Sequence, residues 1–220
     1  MSTSVATSIT VSGTKLTHRY GRRATGIVGL EFSFDGPGAI AVTGPNGSGK
    51  STLLRILAGL LRPSEGSTGV IANGVALPPD RRRLAIGLAT PELAFYEEFT
   101  STENLCFAAE THGLADPAGA AKRALDLVGL TPRANDKVAA YSSGMKQRLR
   151  LAFALVHEPP LLMLDEPGSH LDDAGREAVR AVIARQAERG LVLIATNDPQ
   201  EIQLAERCLA LHGRGLGDPS

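Results

Sequence analysis

A glycine-rich run that ends in a lysine and two hydroxyl residues is the part of this sequence best suited to chemistry. The run consists of Gly44, Pro45, Asn46, Gly47, Ser48, Gly49, Lys50, Ser51 and Thr52. Glycines let backbone N–H groups turn toward one concavity, where they and a following helix N-terminus attract phosphate oxygens. The spacing G-x-x-x-x-G-K-[S/T] places Lys50 to bridge β- and γ-phosphates and Ser51 to offer its hydroxyl to Mg²⁺. The run predicts a phosphate-binding loop, and the alternative is a tight structural turn before a helix.

A pair of adjacent carboxylates, Asp165 and Glu166, is suited to the second half of such a site. The pair follows the apolar run 161–164, which predicts a buried strand. Ligands bind at the carboxyl ends of strands in open parallel sheets. We expect Asp165 to hold Mg²⁺ through water, and Glu166 to act with Lys50 in catalysis, as the general base that polarises an attacking water. The alternative is a solvated acidic turn after a strand.

Short apolar strands alternate with helical periodicities along the chain, and these elements must position both features. The predicted strands are 28–34, 39–43, 84–89, 161–164, 191–195 and 208–211. The predicted helices are 51–60, 103–109, 117–128, 143–156 and 174–189, the last capped by Asp172 or Asp173. Strand alternating with helix indicates an α/β fold around a largely parallel sheet. The helices between 92 and 158 indicate an inserted helical subdomain.

The amino-acid composition indicates which classes of partner the protein can have. Lysine and arginine number 23, as do aspartate and glutamate, so no overall positive field favours nucleic acid and we expect no nucleic-acid partner. Cys106 and Cys208 lack C-x-x-C spacing and the histidines form no H-x-x-x-H pattern, so we expect reduced thiols, a cytosolic compartment and no structural metal. The first ten residues do not resemble an export signal, and no apolar run approaches the roughly 18 to 20 residues that cross a bilayer. A membrane role must then come through a partner.

A third motif lies just before the predicted helix that leads to the two carboxylates. It runs from Tyr141 to Arg148 and reads Tyr-Ser-Ser-Gly-Met-Lys-Gln-Arg. Physically, Ser142 and the N–H groups after it make a second anion-binding helix start, and the alternative is a simple serine-capped helix. Together with the other two motifs, this run resembles the signature of the ATP-binding cassette (ABC) family, in the form common in export-type subunits. The resemblance covers nearly the whole chain.

The resemblance implies a P-loop NTPase fold. Its parts are a mostly parallel sheet core, an N-terminal antiparallel β subdomain and an inserted α-helical subdomain. It further implies that 1–220 is a single nucleotide-binding domain, with its core at 1–91 and 159–220 and its helical subdomain at about 92–158.

The resemblance also implies the ligands, ATP and Mg²⁺, and the assembly. ATP would contact the glycine-rich run, Tyr20 through stacking on adenine, and Asn197. The signature residues face the phosphate loop of a second copy, so that ATP is sandwiched between two subunits; they are Ser142, Ser143, Gly144 and Met145. Ser169, His170, Leu171 and Asp172 correspond to the loop that crosses this dimer interface.

Two positions depart from the family pattern. A glutamine that contacts Mg²⁺ and the attacking water is expected where this sequence has Pro91, which carries neither a side-chain amide nor an N–H. That contact must be lost or taken over by Glu92. A histidine that reaches the γ-phosphate is replaced by Asn197, which can donate an amide hydrogen bond but cannot carry a proton or positive charge. We expect hydrolysis to persist but to be slow; the alternative is harmless variation within a subfamily.

The leading functional hypothesis is the ATP-hydrolysing subunit of a membrane transporter of export type. Its partners would be a second nucleotide-binding subunit, forming a homodimer, and transmembrane permease subunits that hold it on the cytoplasmic face of the membrane. One alternative is a non-transport ABC ATPase, which the absence of a second cassette, long coiled coils and positive charge disfavours. Another is a module that senses nucleotide with weak turnover, which Glu166 disfavours.

Overall fold

Two β-sheets of different type organise the part of the chain that this computed structural model describes, residues 8–20 and 24–212. The strands are β1 (Ile9–Tyr20), β2 (Ala24–Asp35), β3 (Gly38–Thr43), β4 (Glu65–Ala72), β5 (Val75–Ala76), β6 (Ile86–Ala89), β7 (Leu161–Asp165), β8 (Leu191–Ala195) and β9 (Arg207–Ala210). The helices are α1 (Lys50–Leu57), α2 (Ser101–Thr111), α3 (Pro117–Leu127), α4 (Ser143–Leu155), α5 (Asp173–Ala187) and α6 (Pro199–Ile202). One sheet is antiparallel in the order β2-β1-β4-β5, and the other is parallel in the order β6-β7-β8-β3-β9.

The order of the parallel sheet brings the two predicted chemical features together. β8 pairs on one side with β3, which precedes the glycine-rich run, and on the other with β7, which ends at Asp165. Ala195 at the end of β8 is in register with both Val42 and Asp165. The carboxyl ends of the three strands therefore lie side by side, which is where an open parallel sheet binds ligands.

The parallel sheet is covered on both faces, as the continuous apolar runs of its strands require. Successive side chains of β7 alternate between the two faces. Leu162 and Leu164 belong to a core cluster with apolar residues of α2, α3, α4 and α5, whereas Leu161 and Met163 pack with α1 and the antiparallel sheet. Both features are thus anchored to buried strands and helices.

The helix after the glycine-rich run is shorter than its periodicity predicts. It ends at Leu57 rather than at residue 60. The chain turns at Gly59, whose φ of 78° lies in the left-handed region that favours glycine. A Cβ on Gly59 would lie 2.4 Å from the carbonyl oxygen of Pro79, so the turn is packed against the segment that follows β5.

The start of the predicted strand 84–89 was also wrong. Leu84 ends a 3₁₀ segment, Pro79–Leu84, and the strand begins only at Ile86. Three consecutive arginines in this segment belong to the 3₁₀ turn, and the apolar run that follows it pairs with β7. The remaining predicted helices and strands are confirmed, with ends that shift by a few residues, and Asp172 caps α5 by accepting from Gly175 N–H at 2.8 Å.

The antiparallel sheet confirms the subdomain implied by the resemblance, although β1 and β4 had no residue-level prediction. The register of β1 shifts between Gly13 and Leu16, where Lys15 has a φ of 47°. Such bulges interrupt the alternation that marks a strand in sequence. The limits of the helical subdomain, about 92–158, stay a prediction, and residues 1–7, on which the expectation about an export signal mainly rests, lie outside the described ranges.

Candidate functional site

The predicted phosphate loop, residues 44–52, comprises the turn between β3 and α1 and the first three residues of α1. Gly44, Gly47 and Gly49 have φ values of 145°, 81° and 101°. A Cβ on Gly44 would lie 2.3 Å from the carbonyl oxygen of Leu211, and a Cβ on Gly49 would lie 2.8 Å from that of Gly26. The loop therefore has its shape because glycine supplies both the left-handed backbone and the room for close approach.

The inside of the phosphate loop fits an anionic ligand. Lys50 is only 6% exposed, and its Nζ donates to the carbonyl oxygen of Gly44 at 2.8 Å. The buried hydroxyl of Ser48 has no hydrogen-bond partner within the described ranges. α1 begins after Gly49 with no side-chain cap and no acidic residue in its first turn, so its N-terminal N–H groups remain available. A cation, an unpartnered hydroxyl and free N–H groups are what a bound phosphate needs.

Asp165 lies at the carboxyl end of β7 and is 4% exposed. Burial raises the pKa of Asp165 above its ordinary value, and the charges of Glu92 and Glu166 raise it further. The Ser51 hydroxyl and the charge of Arg55 act in the opposite direction on this pKa. A buried carboxylate beside a serine hydroxyl is a hard-oxygen donor set, which fits Mg²⁺. The fit agrees with the predicted roles of Ser51 and Asp165.

Glu166 follows Asp165 on the exposed side of the site. Its φ of 49° is unusual for a residue with a Cβ, and such conformations persist only where the surroundings fix them. Its N–H donates to the Ala195 carbonyl of β8 at 2.9 Å, and its carbonyl accepts from the hydroxyl of Ser169 at 2.9 Å. The backbone conformation directs Glu166 away from the sheet and into the space above the phosphate loop.

The phosphate loop and Glu166 line one open groove of about 470 Å³. The groove residues are Tyr20, Gly26, Asn46, Gly47, Gly49, Lys50, Ser51, Thr52 and Glu166. Among these described residues none comes from the signature run. The structure thus brings the phosphate loop and Glu166 together within one chain and leaves Ser142, Ser143, Gly144 and Met145 outside this groove.

Two further predicted ATP contacts, Tyr20 and Asn197, lie at the phosphate loop. The Tyr20 hydroxyl is 2.9 Å from the hydroxyl of Thr52, and the tyrosine is 47% exposed at the rim of the groove. Asn197 follows β8; its Oδ1 accepts from Gly44 N–H at 3.4 Å and its Nδ2 donates to Asn46 Oδ1 at 3.3 Å. The placement is compatible with both roles, and the contacts with ATP themselves stay predictions.

The signature run begins α4. Ser142 caps this helix by accepting from Met145 N–H at 3.2 Å, and both Ser142 and Ser143 are exposed. Gly144 lies against the backbone of the loop after β7, since a Cβ there would be 3.2 Å from the His170 carbonyl oxygen. The N-terminus of α4 is therefore exposed to solvent, and anion binding there stays a prediction.

Comparison with known proteins matches residues 27–169 to the family described as ABC transporter. The chain belongs to the ABC transporter family. The chain is 35% identical over 185 residues to the linearmycin resistance ATP-binding protein LnrL of Bacillus subtilis (strain 168), covering 83% of this chain and 59% of that protein. It is 41% identical over 158 residues to the cytochrome c biogenesis ATP-binding export protein CcmA of Xylella fastidiosa (strain 9a5c), covering 71% of this chain and 70% of that protein. The chain thus spans less than two thirds of the length of several relatives, LnrL among them.

Solved structures of ABC proteins confirm the predicted fold. A dimeric ATP-binding cassette in a post-hydrolysis state, bound to ADP and Pi, superimposes with a TM-score of 0.82 at 25% identity, covering 91% of this chain and 94% of that one. An ATP-binding subunit of an ABC transporter superimposes with a TM-score of 0.79 at 28% identity, covering 92% and 86% of the two chains. None of the helices in residues 8–20 and 24–212 has the length and apolar character to cross a membrane.

The first departure from the ABC pattern, Pro91, lies in an exposed turn that the Leu93 N–H closes on the Thr90 carbonyl at 3.1 Å. The adjacent Glu92 forms a short ion pair with Arg55 of α1. Glu92 is near enough to Asp165 to raise the pKa of that carboxyl. The carboxylate therefore reaches the edge of the site, but its nearest partner is an arginine of α1.

Three side chains that contact the site were missed by sequence reasoning: Arg55, Gln147 and Glu201. Gln147 of α4 donates through Nε2 to the carbonyls of Glu166 and Pro167, at 3.3 and 3.1 Å. Glu201 of α6 accepts a hydrogen bond from the Gly168 N–H, in the loop that follows β7. For Gln147 and Glu201, which are both buried, the signal that could have found them is a polar residue on the buried side of a helical pattern. Arg55 is only half-buried and gives no such signal.

Proposed function

We propose that this chain binds ATP and hydrolyses it as the energy-supplying subunit of a membrane transporter, of export type. The observation that carries the proposal is the shared groove, in which the phosphate loop and Glu166 face each other. An ABC family chain with these parts is equipped for both binding and turnover.

Binding rests on the phosphate loop. Its N–H groups and the N-terminus of α1 receive phosphate oxygens, and Lys50 exchanges its contact with the Gly44 carbonyl for the β- and γ-phosphates. Tyr20 offers its exposed ring to adenine, and the Asn197 amide donates toward the terminal phosphate. Together these groups fix the phosphate chain at the carboxyl ends of β3 and β8.

Hydrolysis rests on the two carboxylates. Ser51 and Asp165 would hold Mg²⁺, which supplies charge neutralisation at the phosphates when bound. Glu166 accepts a proton from the attacking water as general base, and its backbone contact with β8 holds it at the groove. Lys50 stabilises the negative charge that develops on the phosphoryl oxygens.

The assembly rests on the surface left outside the groove. A second copy of this chain would bring Ser142, Ser143, Gly144 and Met145 over the phosphate loop, so that two chains enclose each ATP. Membrane-spanning permease subunits would convert closing and reopening of the dimer into transport and would hold the chain at the cytoplasmic face of the membrane. LnrL is named a resistance protein and CcmA an export protein, which favours the export direction.

The test is phosphate release by the purified chain and its Glu166→Gln variant. We expect the variant to bind ATP with an affinity within about twofold of the unsubstituted chain and to lose turnover by about 100-fold or more, as loss of a general base requires. Glu177→Gln, which removes an exposed carboxylate of α5, is the matched control and should leave turnover unchanged.

Two outcomes would reject parts of the proposal. Turnover that survives Glu166→Gln would remove Glu166 from the catalytic role. An unsubstituted chain that binds ATP and releases no phosphate would favour the sensing module, which the departures at Pro91 and Asn197 suggest. Co-purification with a multi-span membrane protein tests the transporter role separately from the chemistry.

A further inference from the structure

Glu201 is a buried carboxylate outside the groove that the proposed reaction does not use. It lies on α6, is 8% exposed, and its Oε1 accepts from the Gly168 N–H at 2.6 Å. Gly168 is the second residue after Glu166. A Cβ on Gly168 would lie 2.3 Å from this same oxygen, so the carboxylate lies directly against the backbone of the loop that carries Glu166.

The surroundings of Glu201 do not compensate its charge well. Burial raises the pKa of this carboxyl, the charges of Asp198 and Glu166 add to the effect, and the Thr196 hydroxyl and the Gly168 N–H oppose it. Arg176 and Arg180 of α5 line a small pocket together with Glu201, but within the described residues neither forms an ion pair with Glu201. A buried carboxylate with no cation partner is poor for stability, and such groups cluster at functional sites.

The loop that Glu201 contacts, residues 165–172, is the acid loop. Glu166 and His170 both have left-handed backbones, with φ values of 49° and 63°, although neither is glycine. Side chains from two helices hydrogen-bond to the backbone of the loop: Gln147 donates to two of its carbonyls, and Glu201 accepts its Gly168 N–H. The strained conformation therefore depends on partners outside the loop.

The same short segment of chain that carries Glu201 also touches the phosphate loop. Ala195 accepts the Glu166 N–H, Asn197 contacts Gly44 and Asn46, and four residues later Glu201 accepts the Gly168 N–H. Residues 195–201 thus connect the two halves of the groove through backbone and side-chain hydrogen bonds.

We propose that Glu201 is a positioning residue for the hydrolysis step: by holding the Gly168 N–H it fixes the acid loop so that Glu166 stands at the correct place over the phosphate loop. The proposal rests on the proposed function for its catalytic consequence. Glu201 touches neither the groove nor Glu166 itself, so it acts through the backbone between them.

The first test replaces Glu201 by alanine and by glutamine. Glu201→Ala removes the acceptor for the Gly168 N–H. We expect kcat to fall about 10- to 100-fold, because a displacement of Glu166 by about 1 Å has an effect of this size. The Kd for ATP should stay within about twofold. Glu201→Gln keeps an acceptor oxygen and should recover most of kcat. Gln203→Ala, at an exposed position two residues away, is the control and should match the unsubstituted chain.

A second test displaces the carboxylate without removing it. Gly168→Ala adds a methyl group where Glu201 Oε1 lies, so it should lower kcat as Glu201→Ala does. In the double variant Gly168→Ala/Glu201→Ala the methyl group has room, and the two losses should not add. Losses that multiply would mean that the two residues act independently and would overturn the proposal, as would a Glu201→Ala variant with unchanged kcat.

Hydrogen exchange at the Gly168 amide, measured on the same samples, separates this proposal from the proposed function. Loss of protection in Glu201→Ala shows that the contact exists in solution, and equal protection in both chains overturns the proposal whatever the turnover. An unsubstituted chain without phosphate release but with a protected amide would instead reject the proposed function and, with it, the catalytic consequence of the contact.

Discussion

Asp165 is a carboxylate that the fold buries beside two other acids. Because its pKa is raised in the folded chain, the folded state binds this proton more tightly than the unfolded state does. The stability that this proton contributes is therefore fully present below the ordinary pKa of the unfolded chain and is lost as pH rises from there through the raised pKa. Mg²⁺ needs the ionised form, so the same residue that serves the site weakens the nucleotide-free fold.

Asp165→Asn should separate these two effects. Without nucleotide, we expect its Tm at neutral pH to exceed that of the unsubstituted chain by about 2 to 4 °C, the size of a 1 kcal/mol gain in a chain of this length. Its Mg²⁺-dependent affinity for ATP should fall. Thermal unfolding and nucleotide titration with and without Mg²⁺ measure both, and Asp173→Asn, at an exposed side chain, serves as the control. An unchanged or lower Tm would mean that the buried charge is compensated.

Asn197 can donate to phosphate but cannot carry charge. Asn197→His should raise turnover by about tenfold, since a charged hydrogen bond is roughly twice as strong as a neutral one and about 1.4 kcal/mol corresponds to a factor of ten. The gain should be larger below the ordinary pKa of histidine, about 6.5. Asn197→Ala is the comparison, and a rate that stays constant even in Asn197→His combined with Pro91→Gln would mean that neither departure limits hydrolysis.

At the scale of elements, a buried arginine, Arg82, binds the C-terminal end of α1, away from the phosphate loop. Arg82 is 3% exposed and donates to the carbonyls of Ile56 and Leu57, and to Thr68 of β4. Both carbonyls belong to the last turn of α1, where intrahelical partners run out. The Ile56 carbonyl also accepts the Gly59 N–H at 3.0 Å, whereas Arg82 is the donor that the described residues provide for the Leu57 carbonyl. Burial lowers the pKa of Arg82, as it disfavours the charged form.

Arg82→Met should therefore cost about 2 to 3 kcal/mol in the free energy of unfolding, because it leaves the Leu57 carbonyl unsatisfied and removes the hydrogen bonds to Thr68. Urea unfolding measures the loss, and Arg81→Met, an exposed neighbour in the same 3₁₀ segment, should change it by less than about 0.5 kcal/mol. Equal losses in the free energy of unfolding for the two variants would mean that water can satisfy the helix-end carbonyl in place of Arg82.

Sequence patterns predicted the elements that carry strong local signals. The phosphate loop, α5 with its Asp172 cap and the buried strands β7 and β8 follow from glycine spacing, helix capping and apolar runs. β1 did not, because a bulge near Lys15 breaks its alternation. The contact of Glu201 with Gly168 could not be predicted either, because α6 and the loop after β7 meet only in the folded sheet.

At the scale of the whole molecule, the exposed N-terminus of α4 predicts complementation between two copies. Lys50→Ala disables the phosphate loop, and Ser142→Asp keeps a good helix cap but places a negative charge where phosphate should bind. Each variant alone should be inactive. A mixture should recover about one quarter of the original turnover, because half of randomly formed dimers are mixed and each carries one intact site.

Phosphate release by equimolar mixtures measures this recovery, and each variant mixed with itself is the control. No recovery at any ratio, with dimers present, would place the signature outside the partner's nucleotide site. Activity of Ser142→Asp alone would contradict its role more directly.

The sheet order has a consequence for how this chain can be altered. β3 and β7 are separated by one strand, β8, so the phosphate loop and the acid loop start from strands about 9 to 10 Å apart, twice the spacing of neighbouring strands. That gap is set by backbone geometry and does not vary with side chains. Substitutions at positions such as 91, 166, 197 and 201 can therefore change the rate of the proposed hydrolysis while the distance between β3 and β7 stays the same. We therefore expect substitutions at these positions to change the rate of the proposed ATP hydrolysis without changing the parallel sheet.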